Sequence, residues 1–305
     1  MRVIFMGTPE FAVESLKILV ENDVNVVAVI TAPDKPKGRG KSVGTSPVKD
    51  YAVAQGLPVL QPVKLKDPDF LEELTSYQAD LQVVVAFRML PQVVWSMPPM
   101  GTFNLHASLL PQYRGAAPIN WAIMNGEEQT GITTFFLQQK IDTGKIIFQE
   151  EEPIAYDDTV GTLYERLMNK GAMLVLKTVK AVAAGNVAEY EQVEEQNMKA
   201  APKIFKETCE IDWNQDAEVI RNFVRGLSPY PAAWTTVAEK SIKVFAVEHA
   251  EEEIELAAGQ FHTNGKSYLY VGTGDGVLSI KSLQLQGKRR MKINEFLAGN
   301  AQLFQ

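Results

Sequence analysis

Strand-like and helix-like segments alternate along the first half of the chain. An apolar run at Arg2–Met6 precedes Phe11–Val20, whose apolar residues recur at helical spacing, and a β-branched run follows at Val26–Thr31. The alternation continues through a helix that starts at Ser46-Pro47, another helix (69–77) and three more strand candidates: 57–60, 81–87 and 101–105. Later, Asp158-Thr159 caps a long helix that runs to about Ala184, where Gly185 is a stop signal. Strands that alternate with helices are joined by right-handed crossovers, so the sequence predicts an α/β domain with a mostly parallel sheet and helices on both faces.

A different rhythm begins near residue 207. Residues 186–206 are polar and irregular, which is typical of a linker, and short strand candidates separated by Gly, Asn and Asp turns follow, the first at Cys209–Trp213. Such spacing indicates a small β-barrel of about 95 residues. The sequence therefore predicts a first domain at 1–185, a linker at 186–206 and a second domain at 207–305.

Composition excludes several classes of protein. The 305 residues include 30 basic and 37 acidic side chains, a net charge of −7, so bulk charge does not drive binding to nucleic acid, although local basic patches remain possible. The single cysteine, Cys209, can form neither an internal disulfide nor a Cys-rich zinc site. No uninterrupted apolar run approaches the ~18 residues that span a bilayer. We expect a soluble, cytoplasmic protein without a membrane segment.

The turn after the first strand argues against a dinucleotide-binding domain. It contains one glycine, Gly7, where the pyrophosphate-binding fingerprint needs three, and Pro9 removes a backbone donor. Gly7 is therefore predicted to allow tight packing between the strand and the helix that follows.

Three polar residues are the candidates for chemistry. Asn104 and His106 lie two apart on one strand, so they share a face at its carboxyl end, where open α/β sheets bind ligands. An amide can donate to a developing oxyanion while an imidazole moves a proton near neutral pH. Asp142, in the turn Ile141-Asp142-Thr143-Gly144, could orient the imidazole or accept a proton. Alternatively, His106 is structural and Asp142 caps its own backbone. No spacing of ligands suggests a metal.

The stretch around these residues resembles the formyltransferases that use 10-formyltetrahydrofolate. Three segments carry the resemblance: Asn104-x-His106-x-Ser108-Leu109-Leu110-Pro111, Arg114-Gly115-Ala116-Ala117-Pro118, and Asp142-Thr143-Gly144. The resemblance implies a Rossmann-like first domain, a C-terminal barrel of the oligonucleotide-binding (OB) type, and catalysis by Asn104, His106 and Asp142. It implies 10-formyltetrahydrofolate as formyl donor and no metal.

The resemblance also places the folate. Ser108, Leu109, Leu110 and Pro111 would border it, and residues 85–90 would form a slot for the pterin, with contacts from Phe87, Arg88, Met89 and Leu90. Relatives often carry a glycine after the aromatic residue, where this chain has Arg88. The arginine could point outward or narrow the pocket.

Three further segments resemble the branch of the family that acts on methionyl-tRNA: residues 5–11, residues 33–41 and the stretch from Ile211 to Trp234. The implied partner is initiator methionyl-tRNA, and the implied state is a monomer. The candidate tRNA-binding residues lie in the long loop after the second strand (Lys35, Lys37, Arg39 and Lys41) and in the barrel (Lys288, Arg289 and Arg290).

Two alternatives stay open. The chain could formylate a sugar nucleotide or another small amine, or it could be a non-catalytic RNA-binding module.

Overall fold

The computed structural model describes residues 1–37, 42–194, 196–252 and 254–304. The strands are β1 (Val3–Gly7), β2 (Val26–Ile30), β3 (Lys35–Lys37), β4 (Ser42–Gly44), β5 (Val59–Leu60), β6 (Leu81–Val85), β7 (Thr102–His106), β8 (Arg114–Gly115), β9 (Gln129–Phe136), β10 (Ile146–Pro153), β11 (Ala200–Ala201), β12 (Ala233–Val237), β13 (Lys240–His249), β14 (Phe261–Thr263), β15 (Leu269–Gly272), β16 (Val277–Leu285) and β17 (Met291–Lys292). The helices are α1 (Glu10–Glu21), α2 (Pro47–Ala54), α3 (Pro68–Ser76), α4 (Gln92–Trp95), α5 (Pro118–Met124), α6 (Val160–Ala183), α7 (Ala217–Leu227) and α8 (Ile293–Asn300).

A seven-stranded sheet forms the core of the first half, in the order β10-β9-β7-β6-β1-β2-β5. Strands β7, β6, β1, β2 and β5 run parallel, and β9 pairs antiparallel with β7. Strands β1 and β6 are buried at every position, as strands covered on both faces must be. The mostly parallel α/β sheet predicted from the alternation is confirmed.

Local signals fix the helix ends that the sequence predicts. The Ser46 hydroxyl accepts a hydrogen bond from the Lys49 amide at 3.1 Å at the start of α2. The Thr159 hydroxyl accepts one from the Thr162 amide at 3.3 Å before α6, and Gly185 follows the helix with φ +68°. Gly7 also has the predicted role, because a Cβ there would lie 2.6 Å from the Ala12 Cβ of α1.

The loop after β2 is more regular than expected. Instead of an irregular connection, it contains an antiparallel hairpin of β3 and β4, with Lys35 opposite Gly44. Arg39 and Lys41 lie outside the described residues, as does the side chain of Lys37.

The C-terminal barrel is a six-stranded antiparallel sheet in the order β12-β13-β16-β15-β14, with β17 paired to β16. Register shifts between Val244 and Val247 accompany the pairing of β13 with β16, and such bulges increase strand twist and curl a sheet. Helices α7 and α8 contribute Val224 and Phe296 to its core. The predicted small barrel of the OB type is confirmed.

The strand predicted at Cys209–Trp213 is wrong. Glu207–Cys209 forms a 3₁₀ turn, and the described residues then show a single isolated bridge, between Glu210 and Trp234. The Cys209 thiol donates to the Phe205 carbonyl at 3.2 Å, a contact four residues back along the chain that belongs to a helical turn.

The described residues divide into two compact units that differ from the predicted domains 1–185, 186–206 and 207–305. One comprises 1–115, 130–152 and 164–200, and the other 116–129, 153–163 and 201–305. Residues 116–129 join the second because the Asn120 amide donates to the Gly226 carbonyl at 2.8 Å. Residues 153–163 join it because Arg225 donates to the carbonyls of Ala155 and Asp158 at 3.2 and 3.1 Å.

Across the described parts of the chain, no helix combines the length and the apolar character that crossing a bilayer requires.

Candidate active site

Strand β7 carries Asn104 and His106 on one face near its carboxyl end. In the sheet, Asn104 lies opposite Val84 of β6, and His106 lies opposite Thr133 of β9. The neighbouring parallel strands β1 and β6 end at the same edge, where Gly7 pairs with Val85. The parallel sheet therefore places both side chains at the edge where the sequence predicts a ligand site.

The His106 ring is held in one orientation. Its Nε2 lies 2.8 Å from the carbonyl oxygen of Tyr113. Because a carbonyl oxygen only accepts, Nε2 carries the hydrogen and donates it. Nδ1 is then the nitrogen available to exchange a proton. Tyr113 itself has φ +59°, a left-handed backbone that turns the chain back toward the end of β7.

Asp142 faces the other nitrogen of the ring. Its Oδ2 lies 3.9 Å from His106 Nδ1 and accepts a hydrogen bond from the Gly115 amide at 3.0 Å. The side chains are only 7% and 14% exposed, so their interaction is weakly screened by water. The distance is that of an ion pair and is too long for a hydrogen bond.

The turn that carries Asp142 is pressed against β9. A Cβ on Gly144 would lie 1.6 Å from the carbonyl oxygen of Phe136, so only glycine fits there. Asp142 has φ +52°, a conformation that Asp tolerates better than most residues.

Asn104 is the least constrained of the three predicted catalytic residues. Its side chain is half-buried, and within the described ranges no protein group hydrogen-bonds its carboxamide. The amide is therefore able to donate to a bound ligand.

The segment after β7 is fixed mainly by its own polar groups. Ser108 is fully buried, and its hydroxyl donates to the Gln112 carbonyl at 2.6 Å. Leu110 is buried as well, and its carbonyl accepts from Gln149 at 2.9 Å. Leu109 and Pro111 are half-buried. Of the four residues predicted to border the folate, these two keep accessible side-chain surface.

In the segment predicted to form the pterin slot, Arg88 is anchored to backbone carbonyls of another segment. Its guanidinium donates to the carbonyls of Pro62 and Val63, the latter at 2.9 Å, and burial lowers its pKa. The head group thus reaches the segment after β5 and lies 5.5 Å from the centre of the Phe87 ring. Leu90 is buried, whereas Met89 is 74% exposed.

Polar contacts that hold the two ends of the loop between β2 and α2 were not predicted from the sequence. The Lys49 ammonium lies 2.5 Å from Asp34, and Gln61 donates to the same carboxylate at 2.7 Å. The hydrogen bond from Lys49, followed by that from Gln61, holds the pKa of Asp34 below its usual range. Since Thr31 and Ser46 hydroxyls also lie 2.7 Å apart, the loop leaves and re-enters at the carboxyl end of β2. Lys35 is exposed.

The basic cluster of the barrel lies between β16 and β17. Lys288 and Arg289 are exposed. Arg290, also exposed, lies 4.5 Å from the centre of the Phe245 ring and donates to Ser282 at 2.9 Å.

Sequence reasoning also missed Gln192, which lies in the predicted linker. Its amide donates to the carbonyls of Asp142 and Gly144 at 2.9 and 2.8 Å, and its oxygen accepts from Arg114. No local sequence pattern predicts the contact between Gln192 and Asp142, because the two residues are 50 positions apart in sequence.

Among the described residues, no group of three or more His, Cys, Asp or Glu side chains could hold a metal ion.

Comparison with family models defines the class of protein. Residues 1–179 match the model of the formyl transferases, and residues 203–301 match the model of the formyl transferase C-terminal domain. The chain is thus a formyl transferase that matches both domain models of the family.

Full-length relatives narrow the class. The chain is 56% identical to methionyl-tRNA formyltransferase of Parabacteroides distasonis, over 99% of this chain and 97% of the relative. It is 54% identical to that of Bacteroides thetaiotaomicron, over 98% and 95%. The chain therefore belongs to the methionyl-tRNA formyltransferase family.

Solved structures share the fold at low identity. The N-formyltransferase from Helicobacter canadensis superposes with a TM-score of 0.68 at 20% identity, covering 95% of this chain and 99% of that one. HypX from Aquifex aeolicus, solved with tetrahydrofolic acid, gives 0.63 at 21% identity. The match covers 98% of this chain but only 47% of HypX, so the chain spans about half the length of that protein.

Proposed function

We propose that the chain transfers the formyl group of 10-formyltetrahydrofolate to the amino group of methionine on initiator tRNA, producing N-formylmethionyl-tRNA for translation initiation. The observation that carries this proposal is the placement of His106 between the Tyr113 carbonyl and the Asp142 carboxylate, beside Asn104. Identity of 56% with a methionyl-tRNA formyltransferase supports the choice of acceptor.

The nucleophile is the α-amino group of the esterified methionine. Its reference pKa is about 8, so a useful fraction is neutral at pH 7. It attacks the formyl carbon on N10 of the folate, and the carbonyl oxygen becomes an oxyanion. Asn104 donates to this oxygen, and protonated His106 adds a second donor through Nδ1, since Nε2 is committed to Tyr113.

Proton transfer completes the reaction. The attacking nitrogen must lose a proton, and the leaving N10 must gain one. Asp142, held by the Gly115 amide, accepts the amine proton and passes it toward N10 through His106 Nδ1. The new C–N bond forms when the amine attacks, and the bond from the formyl carbon to N10 breaks when the tetrahedral oxyanion collapses, so the transfer balances without an oxidant.

The folate lies along the edge formed by the segments after β6 and β7. Leu109 and Pro111 line it with partly accessible side chains, and Phe87 and Met89 border the pterin slot. Arg88 narrows one side of this slot through its contacts with Pro62 and Val63.

Basic residues bind the tRNA through its phosphates. Lys35, Lys37, Arg39 and Lys41 belong to the loop that emerges beside the active site, and Arg39 inserts near the acceptor stem. Lys288, Arg289 and Arg290 give the barrel a second contact. Because such contacts neutralise phosphates without reading sequence, binding weakens steeply with salt. If Arg39→Ala formylates charged tRNA at the wild-type rate at physiological salt, the role of Arg39 is wrong.

The direct test supplies 10-formyltetrahydrofolate with methionyl initiator tRNA and, as control, the same tRNA carrying another amino acid. We expect formylation of the methionyl form, and its loss in His106→Ala with tRNA affinity retained. Formylation of an amino sugar nucleotide in preference to tRNA would favour the small-amine alternative. Tight tRNA binding without formylation would favour a non-catalytic module.

The family resemblance also supports a cytoplasmic monomer. Light scattering of the purified enzyme, alone and with tRNA, tests the oligomeric state.

A further inference from the structure

Part of the predicted linker makes contacts within the compact unit of residues 1–115, 130–152 and 164–200, which we call the catalytic unit. Tyr190 and Ile146 exchange backbone hydrogen bonds of 2.8 and 2.9 Å at the start of β10. Further along, the Lys199 carbonyl accepts from the Tyr113 amide at 2.7 Å. The segment is thus attached at both ends, to β10 and to the residues that hold His106.

Gln192 lies between these attachments and uses both ends of its carboxamide. The nitrogen donates to the carbonyls of Asp142 and Gly144, at 2.9 and 2.8 Å. The oxygen accepts from Nη2 and Nε of Arg114, at 2.7 and 3.1 Å. Among side chains of this length, only a carboxamide can serve two acceptors on one side and a cation on the other.

These contacts close a ring around the catalytic pair. Tyr113 holds His106 Nε2 through its carbonyl, and Gly115 holds the Asp142 carboxylate through its amide. Arg114 lies between Tyr113 and Gly115, and Gln192 joins Arg114 to the backbone of Asp142. The segment that orients the imidazole and the turn that presents the carboxylate are therefore joined twice, directly by the Gly115–Asp142 hydrogen bond and through the Gln192 side chain.

The turn needs such support. Asp142 occupies the left-handed region at φ +52°, which is less favourable than ordinary helical or extended backbone for a residue with a Cβ, although Asp tolerates it better than most. Without the Gln192 hydrogen bonds, two carbonyls of the turn would lose their side-chain donor.

We propose that Gln192 is a positioning residue, which sets the distance between the Asp142 carboxylate and the His106 ring. The inference rests on the proposed function for its kinetic consequence, but not for its structural one. Gln192 does not touch the reacting atoms and acts through Asp142.

The decisive variant is Gln192→Glu. It is isosteric and keeps the acceptor for Arg114, but it replaces the donor that holds the two carbonyls with a carboxylate oxygen. We expect kcat for formylation to fall about 10- to 100-fold, because small displacements of a catalytic group are costly. KM values for charged tRNA and for 10-formyltetrahydrofolate should stay within about twofold, since both substrates keep all of their binding residues. Val193→Ala is the matched control, because Val193 is 76% exposed on the same segment.

Hydrogen exchange supplies a readout that needs no activity. In Gln192→Glu the Gly115 amide, which donates to Asp142, should exchange at least about tenfold faster, while amides of β1 and β6 keep their wild-type rates. A wild-type enzyme that fails to formylate methionyl-tRNA would refute the proposed function and leave this exchange result to judge the positioning role. Unchanged Gly115 exchange, an equal rise throughout the catalytic unit, or unchanged kcat in an active enzyme would overturn it.

Discussion

The catalytic unit and the barrel hold their charged side chains in different ways. In the catalytic unit, Glu152 is paired with Arg166 and Lys170 at 2.8 and 2.5 Å. Asp142 is likewise held near the ring of His106. In the barrel, the cluster between β16 and β17 is exposed.

Paired charges and exposed charges therefore suit different functions, the positioning of reacting atoms and the attraction of phosphates. Charges that are held by neighbours can position atoms to within a fraction of an ångström, which proton transfer requires. Exposed charges act mainly through their field, which attracts phosphates over several ångströms and is screened by salt. Substitutions in the first region should therefore change rate constants or stability, and those in the second should change affinity and its salt dependence.

The largest effect is expected at Asn104. Asn104→Ala removes the proposed donor to the oxyanion, so kcat should fall about 10²- to 10³-fold. Affinity for charged tRNA, measured by filter binding, should not change, because Asn104 carries no charge and is not among the basic residues proposed to bind the tRNA phosphates. A kcat within about fivefold of wild type would contradict the assignment.

The contribution of the paired charges to the free energy of unfolding can be measured at Glu152. Burial alone would raise its pKa, but hydrogen bonds from Lys170 and Arg166 outweigh burial and hold the pKa below its usual 4.5. We expect Glu152→Gln to lower the free energy of unfolding by about 1–2 kcal/mol at pH 7, measured by urea denaturation. Because the folded-state pKa is lowered, this difference is present above about pH 4.5 and should shrink as pH falls through the folded-state pKa.

Glu150 supplies the control for Glu152. It pairs with Lys177 at 3.3 Å, but the two side chains are 37% and 53% exposed. Glu150→Gln should therefore cost less than about 0.5 kcal/mol. Equal losses in the two variants would mean that burial does not distinguish these pairs.

Lys288 and Arg289 test the exposed charges. The double variant Lys288→Ala/Arg289→Ala should weaken tRNA binding and reduce the slope of log K against log salt by about 2, one for each positive charge removed from the phosphates. At saturating tRNA, kcat should be that of wild type. Lys266→Ala, an exposed lysine between β14 and β15, is the matched control. An unchanged slope would exclude the cluster from the tRNA interface.

The smallest effect is expected at Arg290, which combines both behaviours. It is exposed but lies over the Phe245 ring and donates to Ser282. Arg290→Ala should lower the unfolding free energy of the barrel by about 0.5–1 kcal/mol, a loss that Lys288→Ala should not produce. Equal stability of the two variants would show that the ring contact contributes nothing.

Much of the catalytic unit could be predicted because its signals are local. The alternation of strands and helices defines the sheet, and two-residue spacing on β7 puts Asn104 and His106 on one face. The cap at Ser46 and the stop at Gly185 are read directly from residue types.

The features that sequence reasoning missed depend on distant parts of the chain. Gln192 lies in a polar stretch typical of a linker, and its role depends on contacts with residues near positions 114 and 142. The strand predicted at Cys209–Trp213 is wrong because, among the described residues, this segment pairs through one isolated bridge, between Glu210 and Trp234. A strand needs a continuous pairing partner. The hairpin of β3 and β4 was not predicted because this segment contains Gly and Pro residues, which have low strand propensity.

The close contact between Gly144 and Phe136 also limits the length of the turn that joins β9 to β10 and carries Asp142. The backbone after Asp142 packs directly against β9 at Gly144. An extra residue between Asp142 and β10 would therefore displace the turn and move the Asp142 carboxylate away from the His106 imidazole. The exposed residues 139–141, on the other side of the aspartate, meet no such barrier. Insertions should therefore be tolerated before residue 142 and should abolish turnover after it.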